Sequence, residues 1–346
     1  MRAAVLLIAV ALLPSGGLAP VPAEPPEGFT ASSADCARCH RRVARQWQGS
    51  GHAGAFADVD FQAAWQPWPN GWCVNCHLPL EAAQQEALGD DARPGAFYTD
   101  AHADGPLAAE GVGCPACHVR EGAVLTPGLP SASGLRAHPM RQEPALGTAD
   151  FCGGCHDFPF QNHTPAGPFT LSAEPLQDTL DEWRGAPAAA EGVPCQGCHM
   201  PRGAHRFPGG HDTGFVREAL SIEVTALSSS ETRVTLASHG VGHRLPTGDP
   251  FRYLEVALLD AEGQPVGAAV FTRRFERTEA SWVLIDDTTV PPEGARTLVA
   301  QTDAAPARWR LRMVYADPHL RDALPPERYA AVLDEGVVGS PHPEVP

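Results

Sequence analysis

All ten cysteines of the chain fall into five copies of one arrangement, C-x-x-C-H. They are Cys36, Cys39 and His40; Cys73, Cys76 and His77; Cys114, Cys117 and His118; Cys152, Cys155 and His156; and Cys195, Cys198 and His199. This is the attachment signature of c-type haem. Two cysteines three positions apart lie on one side of a helical turn, where each can form a thioether to a haem vinyl group. The imidazole that follows is then held beside the porphyrin and can bind the iron as its proximal ligand. Other chemistries explain less. Disulfides do not require a histidine after every second cysteine, structural zinc pairs C-x-x-C units without that rule, and iron–sulfur clusters take four thiolates. A thioredoxin-like C-x-x-C would not recur five times. The pattern predicts five haem c groups, with the ten cysteines as attachment points and the five histidines as proximal iron ligands.

The sixth ligand separates a wire from an enzyme. A haem with both faces taken passes electrons only, whereas one with an open face can bind and reduce a small molecule. Ten histidines lie outside the motifs: His52, His102, His138, His163, His205, His211, His239, His243, His319 and His342. The distal candidates are His52, His243, His205, His211, His138 and His163. His52 ends the cassette Trp47, Ser50, His52, and His243 sits in a Gly/Pro-rich loop between expected strands. His205 and His211 follow the fifth motif, while His138 and His163 flank the fourth. His102 ranks below these, and His239, His319 and His342 are expected to be solvated. Among methionines, Met200 cannot turn back onto its own haem, Met313 falls on an expected strand and Met140 is a weaker candidate. Two-histidine ligation of low potential is therefore the default. No acid/base pair, Gly-rich phosphate loop or Ser/His/Asp pattern stands out, so no catalytic residue is assigned. Arg244 and Arg252, near His243, could hold a haem propionate or be plain surface.

The elements that must position these residues differ along the chain. The first cysteines of the motifs stand at 36, 73, 114, 152 and 195, a period of roughly 40 residues. So little polypeptide per porphyrin forces neighbouring haems together in a continuous row. It also accounts for an aromatic content of only 7% alongside 35 prolines and 34 glycines. Repeats point to duplication. Glu110-Gly111-Val112 leads into the third motif and Glu191-Gly192-Val193 into the fifth. Trp47 to Ala53 is echoed by Trp183 to Ala189, with Ala188 where His52 stands. Short helices are expected at 41–47, 80–88 and 175–183. After about residue 215, period-two alternation predicts strands at 222–226, 232–236, 253–258, 266–271, 282–285, 297–300 and 309–315. A short helix is expected at 326–333. The expected fold is therefore two-part: a mainly α or irregular haem region over 24–215, then an all-β antiparallel sandwich over 216–318 and a tail over 319–346.

Residues 1–23, with Arg2 before a short apolar run and small residues after it, read as a secretory signal. The run is too short to span a bilayer, which takes roughly 20 apolar residues. The mature chain is accordingly expected in the periplasm or outside the cell, without a membrane span. A net charge of −16 argues against a nucleic-acid partner.

On the five motifs, the Trp47/Ser50/His52 cassette, the Glu-Gly-Val lead-ins and Cys195 through Pro201, the chain resembles the multihaem c-type cytochromes. This is the superfamily that holds hydroxylamine oxidoreductases, pentahaem nitrite reductases and tetrahaem electron carriers. Residues 242–248 look like a loop of secreted members with a C-terminal β domain. The resemblance implies an exported electron-transfer protein with redox-protein partners. It departs from the nitrite reductases, whose active-site haem has a lysine ligand, because all five motifs here end in histidine. The alternatives are a nitrite, hydroxylamine or sulfur-oxyanion reductase with one open haem, and a subunit of a cytochrome assembly that docks through its β domain.

Overall fold

A computed structural model describes residues 20–67, 69–89, 105–162, 170–279, 281–315 and 329–339. The expected signal segment up to residue 19, and His102, His163, His319 and His342, lie outside the described residues. The chain divides into two compact units, residues 1–155 and 156–346. That division falls within the fourth motif, well before residue 215.

In the first unit the helices are short: Ser33–Ala37, Arg41–Gln48, Val59–Trp65, Gly71–His77, Glu81–Leu88, Cys114–His118 and Ala132–Ala137. Helices of this length are marginal in water and depend on what they pack against. A three-stranded sheet follows the third motif, formed by β1 (Val119–Arg120), β2 (Ala123–Thr126) and β3 (Met140–Gln142) in that order. The β1–β2 turn is Glu121-Gly122, with φ of 49° and 70°. Positive φ at both positions is what a two-residue hairpin with type I′ geometry requires. β3 pairs parallel to β2 after a crossover through the helix Ala132–Ala137. The apolar cluster of this unit gathers around the second motif: Phe56, Trp65, Val74, Leu78, Leu80 and small residues beside them.

The second unit opens with the hairpin of β4 (Asp157–Asn162) and β5 (Thr170–Asp178). Helices Thr179–Arg184, Pro187–Ala190, Cys195–His199 and Thr213–Glu218 come next. Then follow β6 (Leu220–Ala226), β7 (Glu231–Ser238), β8 (Tyr253–Leu259), β9 (Pro265–Phe271), β10 (Arg273–Arg277), β11 (Trp282–Asp287), β12 (Ala295–Gln301), β13 (Arg308–Val314) and β14 (Ala330–Val337). They form sheets in the orders β12-β7-β6 and β14-β13-β8-β9, with β10-β11 as a separate hairpin. Alternation explains the shared core. Val234 and Leu236 on β7, Leu254, Val256 and Leu258 on β8, Phe271 on β9 and Leu311 on β13 are all buried together.

The expected two-part class is corrected by this architecture. The described chain is about 30% helix and 32% strand, in short helices and small sheets, so the class is mixed. β1–β5 all lie within the region expected to be α or irregular. Half of the helix expected at 175–183 belongs to β5, and helix starts only at Thr179. At the other end, of the helix expected at 326–333, residues 326–328 lie outside the described residues and 330–333 belong to β14, which pairs along β13. In each case a neighbouring strand supplies ladder partners that override local preference. No helix among the described residues is long and apolar enough to cross a membrane.

Candidate functional site

Each motif places its cysteines on a short helix or at its end. The second, third, fourth and fifth occupy Gly71–His77, Cys114–His118, Ala149–His156 and Cys195–His199. In the first, Cys36 lies on Ser33–Ala37 and His40 caps the next helix. Helices this short leave carbonyls at their C-terminal ends that need outside donors. Gln84, 1% exposed, donates its Nε2 to the Val74 and Leu78 carbonyls and to Asn75 Oδ1. Buried Arg120 does the same for the third motif, donating to the carbonyls of Pro115, Val119 and Ala116.

No cysteine is in a disulfide among the described residues, and cysteines of different motifs meet. Cys36 hydrogen-bonds Cys114, and Cys76 hydrogen-bonds Cys155. Within each pair the shared bond pushes one thiol up, Cys36 and Cys76, and draws its partner down, Cys114 and Cys155. Burial pushes Cys73 up to about 11 and Cys117 up to about 12. The first and third motifs are tied by backbone as well. Ser33 Oγ accepts from the Cys114 N–H at 2.9 Å, while Glu110 accepts from the Ser33 N–H at 2.7 Å.

Three motif histidines have their Nδ1 edge committed to a backbone carbonyl. His77 bonds Ala55 O at 2.8 Å, His118 bonds Leu125 O at 2.9 Å and His199 bonds Pro208 O at 2.7 Å. A donor at Nδ1 fixes the tautomer that leaves the Nε2 lone pair for a metal. His77 also stacks on Phe61, with ring centroids 3.8 Å apart. His40 and His156 are exposed.

The sequence repeats coincide with repeated bonds. Trp47 Nε1 donates to the Val112 carbonyl at 2.8 Å, and Trp183 Nε1 donates to the Val193 carbonyl at 2.9 Å. Val112 N–H donates to the His52 carbonyl, and Val193 N–H to the Ala188 carbonyl. Gly111 and Gly192 both take positive φ, 53° and 72°. The same scaffold is therefore built twice, leading into the third and fifth motifs, with histidine at one position in the first copy and alanine in the second.

In the second copy a histidine arrives from elsewhere. Gly242 packs so tightly on this scaffold that a side chain there would stand 3.2 Å from the Ala188 methyl and 3.3 Å from the Trp183 ring. The next residue, His243, faces His199 with ring centroids 6.2 Å apart and planes within 15° of parallel. Its Nδ1 bonds the Arg244 carbonyl at 2.8 Å, so both rings have that edge engaged. Burial draws both imidazoles below the usual histidine range, which favours the neutral, metal-binding form. Glu182, which the sequence did not single out, anchors this loop. It accepts from the Arg244 N–H at 3.1 Å and the Thr247 hydroxyl at 2.6 Å. Leu245 and Val290 close the loop with a two-way backbone bridge.

The other candidates sit as follows. His138 ends the helix Ala132–Ala137, edge-on to Phe29, with its Nδ1 buried and unpartnered. His205 bonds the Gly203 carbonyl in its own loop, and His211 stacks on Tyr315 at 4.0 Å. His239 is exposed and bonds Ser221. Arg244 pairs with Asp287 at 3.3 Å, which employs it within the fold. A cluster of Asp157, Asp178 and Asp181 follows the fourth motif, its oxygens within 4.8 Å of one another.

These residues fit a haem. Two imidazoles on opposite faces of one metal, each bonded at about 2 Å, put their centroids about 6 Å apart, as His199 and His243 are. Beside the first motif a cavity of about 540 Å³ is lined by Ser33, Ala37, Trp47, Ser50 and Glu110 among others. Neither a protein-family model nor a curated protein matches the chain.

Proposed function

We propose that the protein is an exported multihaem cytochrome that relays electrons between redox proteins through five covalently attached haems. The cysteine pairs of the five motifs would hold the porphyrins by thioethers, and His40, His77, His118, His156 and His199 would bind the irons on one face. When bound, the group supplies a one-electron ferrous/ferric couple. The chain's own residues fix the imidazoles, exclude water and keep the groups close.

The single observation that carries this reading is the parallel pair His199 and His243. Two imidazoles lie near parallel with centroids 6.2 Å apart, each oriented by a carbonyl at Nδ1. That arrangement favours a six-coordinate, electron-carrying iron at the fifth motif over an open catalytic one. The repeated scaffold extends the reading to the third motif. His52 stands where the second copy has Ala188, so it would be the residue that holds the iron of the third motif together with His118. Thiol contacts between motifs one and three, and two and four, support neighbouring porphyrin edges close enough for transfer.

The test combines a pyridine haemochrome ratio with electron paramagnetic resonance of the oxidised protein. Five haems per chain and low-spin signals are expected. His243→Ala should convert one-fifth of the haem to a high-spin, carbon monoxide-binding form. A wild-type protein in which one-fifth of the haem already binds carbon monoxide would favour the reductase reading instead.

A further inference from the structure

The sheet that follows the third motif holds an unexplained cationic edge. Arg141, on β3, turns Nη1 outward to Glu121 at 2.7 Å, while its Nε and Nη2 are buried and have no partner. Nε and Nη2 together form the side-on fork of a guanidinium, whose two parallel N–H groups match the two oxygens of a carboxylate. Glu121 cannot complete it, being largely exposed and engaged on the opposite corner. Arg120, itself buried, lies close enough for the two guanidinium charges to repel and donates to carbonyls. Two neighbouring cations with inward donors describe half of an ion pair. Their surroundings are those of the third motif: β1 continues directly from His118, and Leu125, the register partner of Arg141, holds the His118 Nδ1.

We propose that the Nε–Nη2 fork of Arg141, backed by Arg120, is the docking site for a carboxylate, namely a propionate of one of the haems packed around the third motif. This rests on the haem reading above. The pair of cations neutralises an acid that would otherwise be buried beside the iron. It also disfavours the more positive ferric state, so it raises the potential of that one haem. Neither residue stood out in the sequence, because the fork exists only once β3 lies against β2.

Spectroelectrochemical titration of wild type, Arg141→Gln, Arg141→Lys and Glu121→Gln tests this, with the haem-to-protein ratio measured for each. The expected result is five haems throughout and one haem of five moved to lower potential in Arg141→Gln. Glu121→Gln should leave all five where they were. Arg141→Lys keeps the charge and loses the fork, so it should show a smaller shift of the same haem, and it carries the test alone if the glutamine variant does not accumulate. Superimposable titrations at five haems per chain would overturn the inference and leave the haem reading intact. A wild-type chain without haem would overturn both. A wild-type titration that moves with added sodium acetate, and stops doing so in Arg141→Gln, would assign the fork to a free anion and overturn the propionate.

Discussion

The motif-bearing region and the β6–β14 region solve the problem of stability differently. In the latter, sixteen buried apolar side chains close one core, and long antiparallel registers satisfy the backbone. Around the motifs the apolar cluster is smaller and centred on the second one, and the motif helices are stitched by single polar groups, Gln84 at the second and Arg120 and Ser33 at the third. A fully buried Leu, Val or Phe contributes about 1.5–3 kcal/mol, so one region carries its own driving force and the other needs a substitute. In the proposed function the porphyrins are that substitute. The contrast explains why cysteine is confined to one part of the chain and alternation to the other.

The strongest way to break the comparison is Cys114→Ala with Cys117→Ala. The haem ratio should fall from five to four, and hydrogen-exchange protection should be lost across β1–β3 while β6–β8 keep theirs. Equal loss in both regions would show that they share one source of stability. Leu254→Ala attacks the opposite side. It should cost about 2–5 kcal/mol by denaturant unfolding of the β region and leave the haem ratio unchanged.

A smaller effect sits at the β4–β5 hairpin, where Asp178 stands directly opposite Asp157. Burial, then the charge of Glu182, raises Asp178 to about 6, above the unfolded value of about 3.9. The folded state therefore holds the proton more tightly. The stabilisation is full below about pH 4 and is lost as the pH rises through 6. Because the group is partly exposed, solvent screening reduces the effect to about 1 kcal/mol. Asp178→Asn should unfold at higher urea than wild type at pH 7.5 and at nearly the same urea at pH 4.

What could be read in advance was whatever depends on covalent spacing or on side-chain period. The five motifs are plain in their spacing, and β6 to β9 and β11 to β13 follow from alternation. The duplicated Trp and Glu-Gly-Val segments were visible too, and they became duplicated hydrogen bonds. β4 and β5 were hidden because Pro159 and Pro175 interrupt them, and the register slips at just those residues. β1 and β2 are too short to show a period, and their turn depends on Glu121 taking a conformation that few non-glycine residues adopt. His243 was legible as a candidate, but its partner was not, since the pairing depends on a distant scaffold with alanine at 188. The Arg141 fork had no local signal at all.

The loop that carries His243 is bolted at Val241, Arg244, Leu245 and Thr247, leaving it almost no slack. In the proposed function, a small ligand such as cyanide competing for the iron that His243 would hold would first have to break these fastenings.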